Sequence, residues 1–498
     1  MGPLGRDIET TEFTREDWRS YRERLESCLA ALRDLIDSGS FEAGRHLLGV
    51  EMEANLADEE GRALPINEQV LGRLIPGVFQ PELARFNLEF SAIPCQLAEG
   101  CLRRVEAELN RLLNQMQAAA QSCEAQAILI GILPTLTHHD VTEQNLSPHA
   151  RYRALNENIL AERGERIRID IQGDESLQTT ADSIIFEAAC TSTQLHFQVT
   201  PEESAAYWNA AQALSAPLVA VAANSPFFLN RQLHHETRIA LFLQSIDTRT
   251  KALARQGVRP RVWFGERWLR EGLFELFEEN VRYFSTLLPI CGDQDPRAVL
   301  DAGGIPDLSE LTLHNGTIYR WNRPVYDVSG GRPHFRIENR VLPAGPSIPD
   351  SVANIALYFG LLNALAHADR PVWEEMRFEA AAANFFTAAR FGLGARLSWP
   401  GVGARVPVAE LLLEHLLPLA QEGLREWSIE PRDIERYLGI IAQRAETGQN
   451  GAAWQIALYH ALIDRYGLSR PEAARELVHR YAKYSRDGVP VHRWPIGP

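Results

Sequence analysis

The chain has 498 residues, 45% of them hydrophobic and 23% charged, with 65 acidic against 50 basic side chains and a formal net charge of −15. This ordinary globular composition, long enough for about three units of roughly 150 residues, lacks a basic balance and so argues against nucleic-acid or anionic-membrane partners. Only Lys251 and Lys483 are lysines and neither follows a glycine-rich run, which excludes a P-loop and leaves any phosphate to arginine and metal ions.

In chain order, Met1 to Arg15 is polar and acidic without an apolar core, so no signal peptide is read. Thr14 to Ile36 places Trp18, Tyr21, Leu25, Cys28, Leu32 and Leu35 at three- and four-residue steps, which predicts an amphipathic helix. From Leu47 the texture changes to short alternating runs, read as strands: 49–56, 85–93, 166–172, 194–199, 317–323 and 334–342. Helical patterns lie between them at 99–121, 202–214, 236–244 and 267–284, and the chain after Ser347 reads as nearly all helix to Arg486. Strands mixed with helices but not strictly alternating predict an α+β fold around a largely antiparallel sheet. The apolar stretches 213–229 and 352–368 are interrupted by Pro and Asn and are not read as membrane spans. The six cysteines show no C-x-x-C spacing and read as reduced thiols, so the expected compartment is the cytoplasm.

Several strands carry charge at every second position. In the segment 49–54, Glu51 and Glu53 share one face while Val50, Met52 and Ala54 take the other. Like charges so placed repel, and a hard cation such as Mg²⁺ or Mn²⁺ removes the repulsion; a solvated acidic face is the plainer alternative. The segment 79–90 adds Glu82 and Glu89 beside apolar residues. In 334–341, Arg336, Glu338 and Arg340 share a face, which suits either a metal between two anion-binding guanidiniums or a cross-strand salt-bridge ladder. The strand at 193–199 sets Gln194, His196 and Gln198 opposite Leu195, Phe197 and Val199. Four strands of this texture point to a sheet face closer to a metal and phosphate site than to an apolar ligand barrel.

At these residues the chain resembles the glutamate-cysteine ligase family, carboxylate-amine ligases related in fold to glutamine synthetase. The resemblance rests on the Glu51/Glu53 pair, the block from Pro81 to Glu89, Gln194-Leu195-His196-Phe197 and Arg336-Ile337-Glu338-Asn339-Arg340. Further matches are Ala223-Asn224-Ser225-Pro226-Phe227, Thr237-Arg238, Arg390-Phe391-Gly392-Leu393, Thr447-Gly448 and Ala453-Trp454-Gln455. It implies a curved, largely antiparallel glutamine synthetase-like catalytic domain over 41–346, preceded by a helix over 1–40 and followed by a helical region, 347–498, packed on it. It also implies metal ligation by Glu51, Glu53, Glu82, Glu89 and Glu338, substrate or ATP contacts from Arg151, Gln194, His196, Arg238 and Arg323, and catalytic roles for Arg336 and Arg340. Two departures stand out: Gln194 replaces the second histidine of many relatives, and Asn230 sits where glycine is usual.

The implied reaction transfers the γ-phosphoryl group of ATP to the γ-carboxylate of glutamate, and an amine then displaces phosphate from the acyl phosphate with Mg²⁺ or Mn²⁺ assisting. L-Cysteine is the first choice of acceptor, which would place the enzyme in glutathione biosynthesis. The partners are then small molecules, with no nucleic acid and no membrane. Competing readings are a different amine acceptor, a guanidino-kinase-type phosphotransferase, and a catalytically silent glutamate- or nucleotide-binding relative. Sequence selects neither the acceptor nor the carboxylate that receives its proton.

Overall fold

The computed structural model describes residues 11–42 and 45–497. Eight of the strands pair into one antiparallel sheet: β1 (Leu47–Ala57), β2 (Phe79–Pro81), β3 (Asn87–Ser91), β4 (Cys95–Gln96), β5 (Gln126–Ile128), β6 (Ser192–Val199), β7 (Asn322–Ser329) and β8 (Arg332–Pro343). The order is β7–β8–β6–β1–β3–β2, with β4 and β5 pairing with opposite ends of β1. The sheet curls into a half-barrel, the α+β architecture that the alternating segments predict.

Alternation along each strand separates the two faces. In β1, Leu48, Val50, Met52, Ala54 and Leu56 are buried on one side, and Glu51, Glu53 and Asn55 take the other. The helices Ser204–Ala222 and Ile348–Ala366 cover the apolar side: Phe197 of β6 meets Tyr207 at 4.8 Å and Phe359 at 5.7 Å between ring centroids. Ile348–Ala366 is the one helix among the described residues long and apolar enough to cross a membrane, yet 94% of that window is buried inside the protein, so it serves as a core helix. Leu417–Glu426 crosses it closely, and a Cβ at Gly423 would stand 2.0 Å from the Gly360 carbonyl oxygen, so only glycine fits there.

The structure differs from the sequence expectation at three segments. Ile167–Gln172 is a strand, but it pairs only with Ser176–Ala181, in a hairpin apart from the main sheet. The run at 317–323 divides: Tyr319–Arg320 pairs in parallel with Val262–Trp263, and β7 begins at Asn322. The helix expected from Arg267 starts only at Phe274, because the Glu275 carboxylate accepts from the backbone N–H groups of Arg270 and Glu271 and closes a turn ahead of it. After Ser347 the chain is helical except for short connections and the hairpin Arg396–Trp399 with Gly403–Pro407.

A buried ion pair ties the later helices together. The Asp350 carboxylate, 0% exposed, accepts from Arg444 Nη2 at 2.7 Å, from the Ser347 hydroxyl at 2.6 Å and from the Val491 N–H at 3.0 Å. Asp350→Ala strands the Arg444 charge in a dry site and is expected to cost about 3–5 kcal/mol. Urea unfolding should show this as a lower midpoint with an unchanged slope, and an unshifted midpoint would remove the pair from the stability account.

Candidate active site

Register decides which polar side chains meet on the sheet's other face. Glu53 lies opposite Glu89, Glu51 opposite Gln194, and His196 between Gly49 and Glu338. Gly49 leaves room for the imidazole, since a Cβ there would press to 3.3 Å from His196 Cβ. A bulge in β8 between Asn339 and Leu342 shifts the register, and Arg340 Nη1 donates to Gln194 Oε1 at 2.6 Å.

Glu53, Glu82 and Glu89 each offer an oxygen within 4.8 Å of the others. The Ser192 N–H and hydroxyl donate to Glu53 at 2.8 and 2.9 Å, and Gln194 Nε2 donates at 2.9 Å. Burial, then repulsion from Glu51, Glu82 and Glu53, pushes the Glu89 carboxyl well above its usual range. Burial and the neighbouring Glu53 push Glu82 up to about 7. Hard oxygen ligands that hold more repulsion than compensation fit a divalent cation, which takes the place of the protons.

Beside this group, Glu51 and Glu338 flank His196. Its Nε2 lies 3.3 Å from Glu51 Oε1, and neither ring nitrogen makes a hydrogen bond although the residue is only 8% exposed. Burial raises the Glu51 carboxyl, but His196, followed by Arg336, outweighs this and the group is held below the usual range. Glu338 is gripped by Arg323 at 2.7 and 3.0 Å and bonded by Arg340, so despite complete burial its carboxyl stays far below the usual range. Glu338 and Glu53 in turn keep the Arg340 guanidinium charged against the cost of burial. A cavity opens beside these groups, lined by Glu53, Glu82, Asn87, Gln194 and Arg340 as well as by Glu187, Arg238, Phe242 and Trp321.

The family model of glutamate-cysteine ligase family 2 (GCS2) matches residues 47–480, a span that contains every one of these groups. The chain belongs to that family. Its members are ATP-dependent carboxylate-amine ligases acting on small molecules, and this chain is one by class. Among solved structures, the glutamate-cysteine ligase of Francisella tularensis in complex with AMP superposes with a TM-score of 0.52 at 11% identity, covering 90% of each chain, which establishes the shared fold. The bifunctional glutathione synthetase of Pasteurella multocida gives 0.48 at 11% identity, over 92% of this chain and 55% of that one. No protein of curated function matches the sequence.

Within this GCS2 ligase, the tertiary structure sets the sequence-derived residues in different surroundings. Glu53, Glu82 and Glu89 cluster, whereas Glu51 and Glu338 fall outside that group on either side of His196. Arg151 lies near enough to Glu82 to lower its pKa and donates to the Tyr152 hydroxyl at 2.7 Å. Arg336 pairs with Asp327 at 2.9 Å and reaches Glu51 electrostatically. Arg323 serves as the bidentate partner of Glu338. Arg238 lines the cavity, and each of its three nitrogens already donates within the protein, Nε to Glu236 at 3.0 Å, Nη1 to the Arg340 carbonyl at 3.3 Å and Nη2 to the Val341 carbonyl at 2.5 Å. Sequence reasoning missed Glu187, which burial followed by Glu82 and Glu53 pushes up to about 8. Its signal was a lone acid inside Ile184-Ile185-Phe186-Glu187-Ala188-Ala189.

A pH dependence follows. Glu82 rises from 4.5 unfolded to about 7 folded, so without metal the native state holds the extra proton between those values and loses this contribution as pH climbs through them. Mg²⁺ that replaces the proton should therefore raise Tm more at about pH 8 than at about pH 5.5. Thermal melts with Mg²⁺ and with chelator at both values check this, and equal increments would count against the three-carboxylate group as the cation site.

Proposed function

We propose that this ligase activates the γ-carboxylate of glutamate with ATP and joins it to an amine, L-cysteine first, releasing ADP, phosphate and a γ-glutamyl amide. The observation that carries the reading is a group of three mutually repelling carboxylates, two of which, Glu53 and Glu82, line a cavity together with a guanidinium bonded by Glu338. Cysteine is favoured because it is the acceptor for which the family is named.

Forming an amide from a carboxylate in water requires activation, and a phosphoryl group supplies the leaving group. Glu53, Glu82 and Glu89 would hold one divalent cation and Glu51 with His196 another, and bound Mg²⁺ would offset the charge of the ATP phosphates and the substrate carboxylate. Arg340 does the complementary work from the protein side. Glu338 and Gln194 orient it before any substrate arrives, so it meets developing negative charge on the acyl phosphate without reorganising. Arg323 keeps Glu338 ionised and thereby keeps Arg340 aimed. Arg336, farther along β8, would take nucleotide phosphate, and Arg151, whose charge is felt at Glu82, would take the carboxylates of the amino-acid substrate. Phe242 and Trp321 present apolar surface that limits water beside a hydrolysable intermediate.

Glutamate, ATP, Mg²⁺ and a mixture of amino acids and amines, analysed by mass spectrometry, should give amine-dependent ADP release and a γ-glutamyl amide. ADP with a stable phosphorylated product and no amide would replace the ligase reading with a phosphotransferase. Arg340→Ala should lower kcat by about 10²–10³-fold, the typical loss for one donor to a developing oxyanion. Since Arg323 still satisfies Glu338 in that variant, near-normal kcat would remove Arg340 from the chemistry.

A further inference from the structure

On the ligase reading above, the acceptor must bind before it attacks, and a typical amine arrives at neutral pH as an ammonium cation. The cavity carries one acid that the three-carboxylate group leaves over. Glu187 lines the same space but lies outside that group. It comes from the two-turn 3₁₀ segment Ile184–Ala189, whose other five side chains are all buried, so the core anchors the segment while its acid is left for the cavity. Among the described residues no hydrogen bond reaches its carboxylate, and its charged neighbours are Glu82, Glu53 and Arg340. Arg340, the one cation among them, is also bonded to Glu338.

A second observation comes from Asn87, which is 2% exposed and lines the same cavity. Its amide nitrogen donates to Asn55 Oδ1 at 3.1 Å. Asn55 spends its own nitrogen on the Ile130 carbonyl at 3.1 Å and the Thr191 hydroxyl at 3.2 Å, so its oxygen must accept. That relay sets the Asn87 amide with Oδ1 turned away from Asn55, and this buried oxygen has no donor. A buried acceptor left unmet is destabilising unless a ligand meets it. An ammonium group has three N–H donors and one positive charge, which an amide oxygen and a carboxylate complement, while Leu83, Phe242 and Trp321 offer apolar surface for the carbon skeleton.

We propose that Glu187 and Asn87 form the acceptor subsite, which binds the incoming amine as its ammonium cation.

The test uses hydroxylamine, a nucleophile largely uncharged near neutral pH, as reporter: with glutamate, ATP and Mg²⁺ the ligase should trap the activated carboxyl as a γ-glutamyl hydroxamate. Ethylammonium chloride and L-cysteine are then titrated as cationic occupants, and suppression of hydroxamate is measured in the native chain, in Glu187→Gln and in Glu187→Asp. The subsite requires that Glu187→Gln raise the half-suppressing concentration of both cations at least tenfold, by more than it lowers the hydroxamate rate, and that Glu187→Asp recover most of the effect. Unaltered half-suppression in Glu187→Gln, no suppression by either cation in the native chain, or a parallel shift in the Mg²⁺ requirement that places Glu187 in the metal cage would each overturn it. A native chain that forms no hydroxamate fails one step earlier, bringing down the ligase reading and this subsite with it.

Discussion

Burying several carboxylates on one face of a sheet is the constraint to which the rest of this molecule answers. A buried carboxylate must find a counter-charge, a proton or a metal, and neighbouring carboxylates sharpen the demand. Two residues of the same type on that face show the range. Glu338 has two arginines in direct contact and remains ionised although fully buried. Glu89 has three glutamates around it, which Arg340 offsets only in part, and its carboxyl is driven toward the protonated form. The difference lies in what each strand contributes: β7 and β8 bring Arg323 and Arg340 to Glu338, whereas β1, β3 and the segment after β2 bring Glu53, Glu89 and Glu82 to one another. The face is thus divided into a self-compensated half, suited to stabilising charge on a reacting group, and an uncompensated half, suited to holding a cation.

The scaffold beneath Arg340 explains why motifs so far apart in sequence belong together. The β8 bulge interrupts the ladder and frees backbone carbonyls, and Arg238 satisfies those of Arg340 and Val341. Arg238 is itself fixed by Glu236, a wholly buried carboxylate that also accepts from the Asn224 N–H at 2.8 Å and the Ser225 hydroxyl at 2.7 Å. Gln455 then donates to Asn224 Oδ1 at 2.9 Å, and the Asn224 amide donates to the Ala344 carbonyl and the Tyr481 hydroxyl, both at 2.7 Å. The segments around Asn224, Arg238 and Gln455 therefore form one polar scaffold that holds the β8 backbone in its irregular course. Asn230, at φ 58, occupies the left-handed conformation for which asparagine is the best-tolerated substitute for glycine, so that departure from the family pattern leaves the turn intact.

The strands of the main sheet were legible because each combines an apolar face with a polar one, a period-two signal that survives in a single sequence. β1, β6 and β8 extend over the segments so read, and β3 lies inside the run at 85–93. β2 and β7 were harder to see: β2 has three residues, and β7 contains Pro324 and follows directly on a short parallel bridge. The alternating segment at 167–172 carried the same signal, yet formed its own hairpin, because alternation reports a half-buried strand and says nothing of which neighbour it takes. Glu187 escaped for a related reason. It lies on a six-residue 3₁₀ segment too short to show a period, and its place in the cavity depends on packing of that segment against the core.

The chain alone determined the residue types on each face, the use of arginine in place of lysine, and the order of the short motifs, since these are properties of one strand at a time. Tertiary structure decided which acids cluster, which arginines are spoken for, and that Arg238 supports backbone while Arg340 remains at the cavity. Those outcomes depend on pairing between strands more than a hundred residues apart, on a bulge of local register, and on the desolvation that comes only when two helices close over the opposite face. Electrostatic energy varies steeply with distance and burial, so positions that look equivalent in sequence acquire opposite charge states once the sheet is assembled.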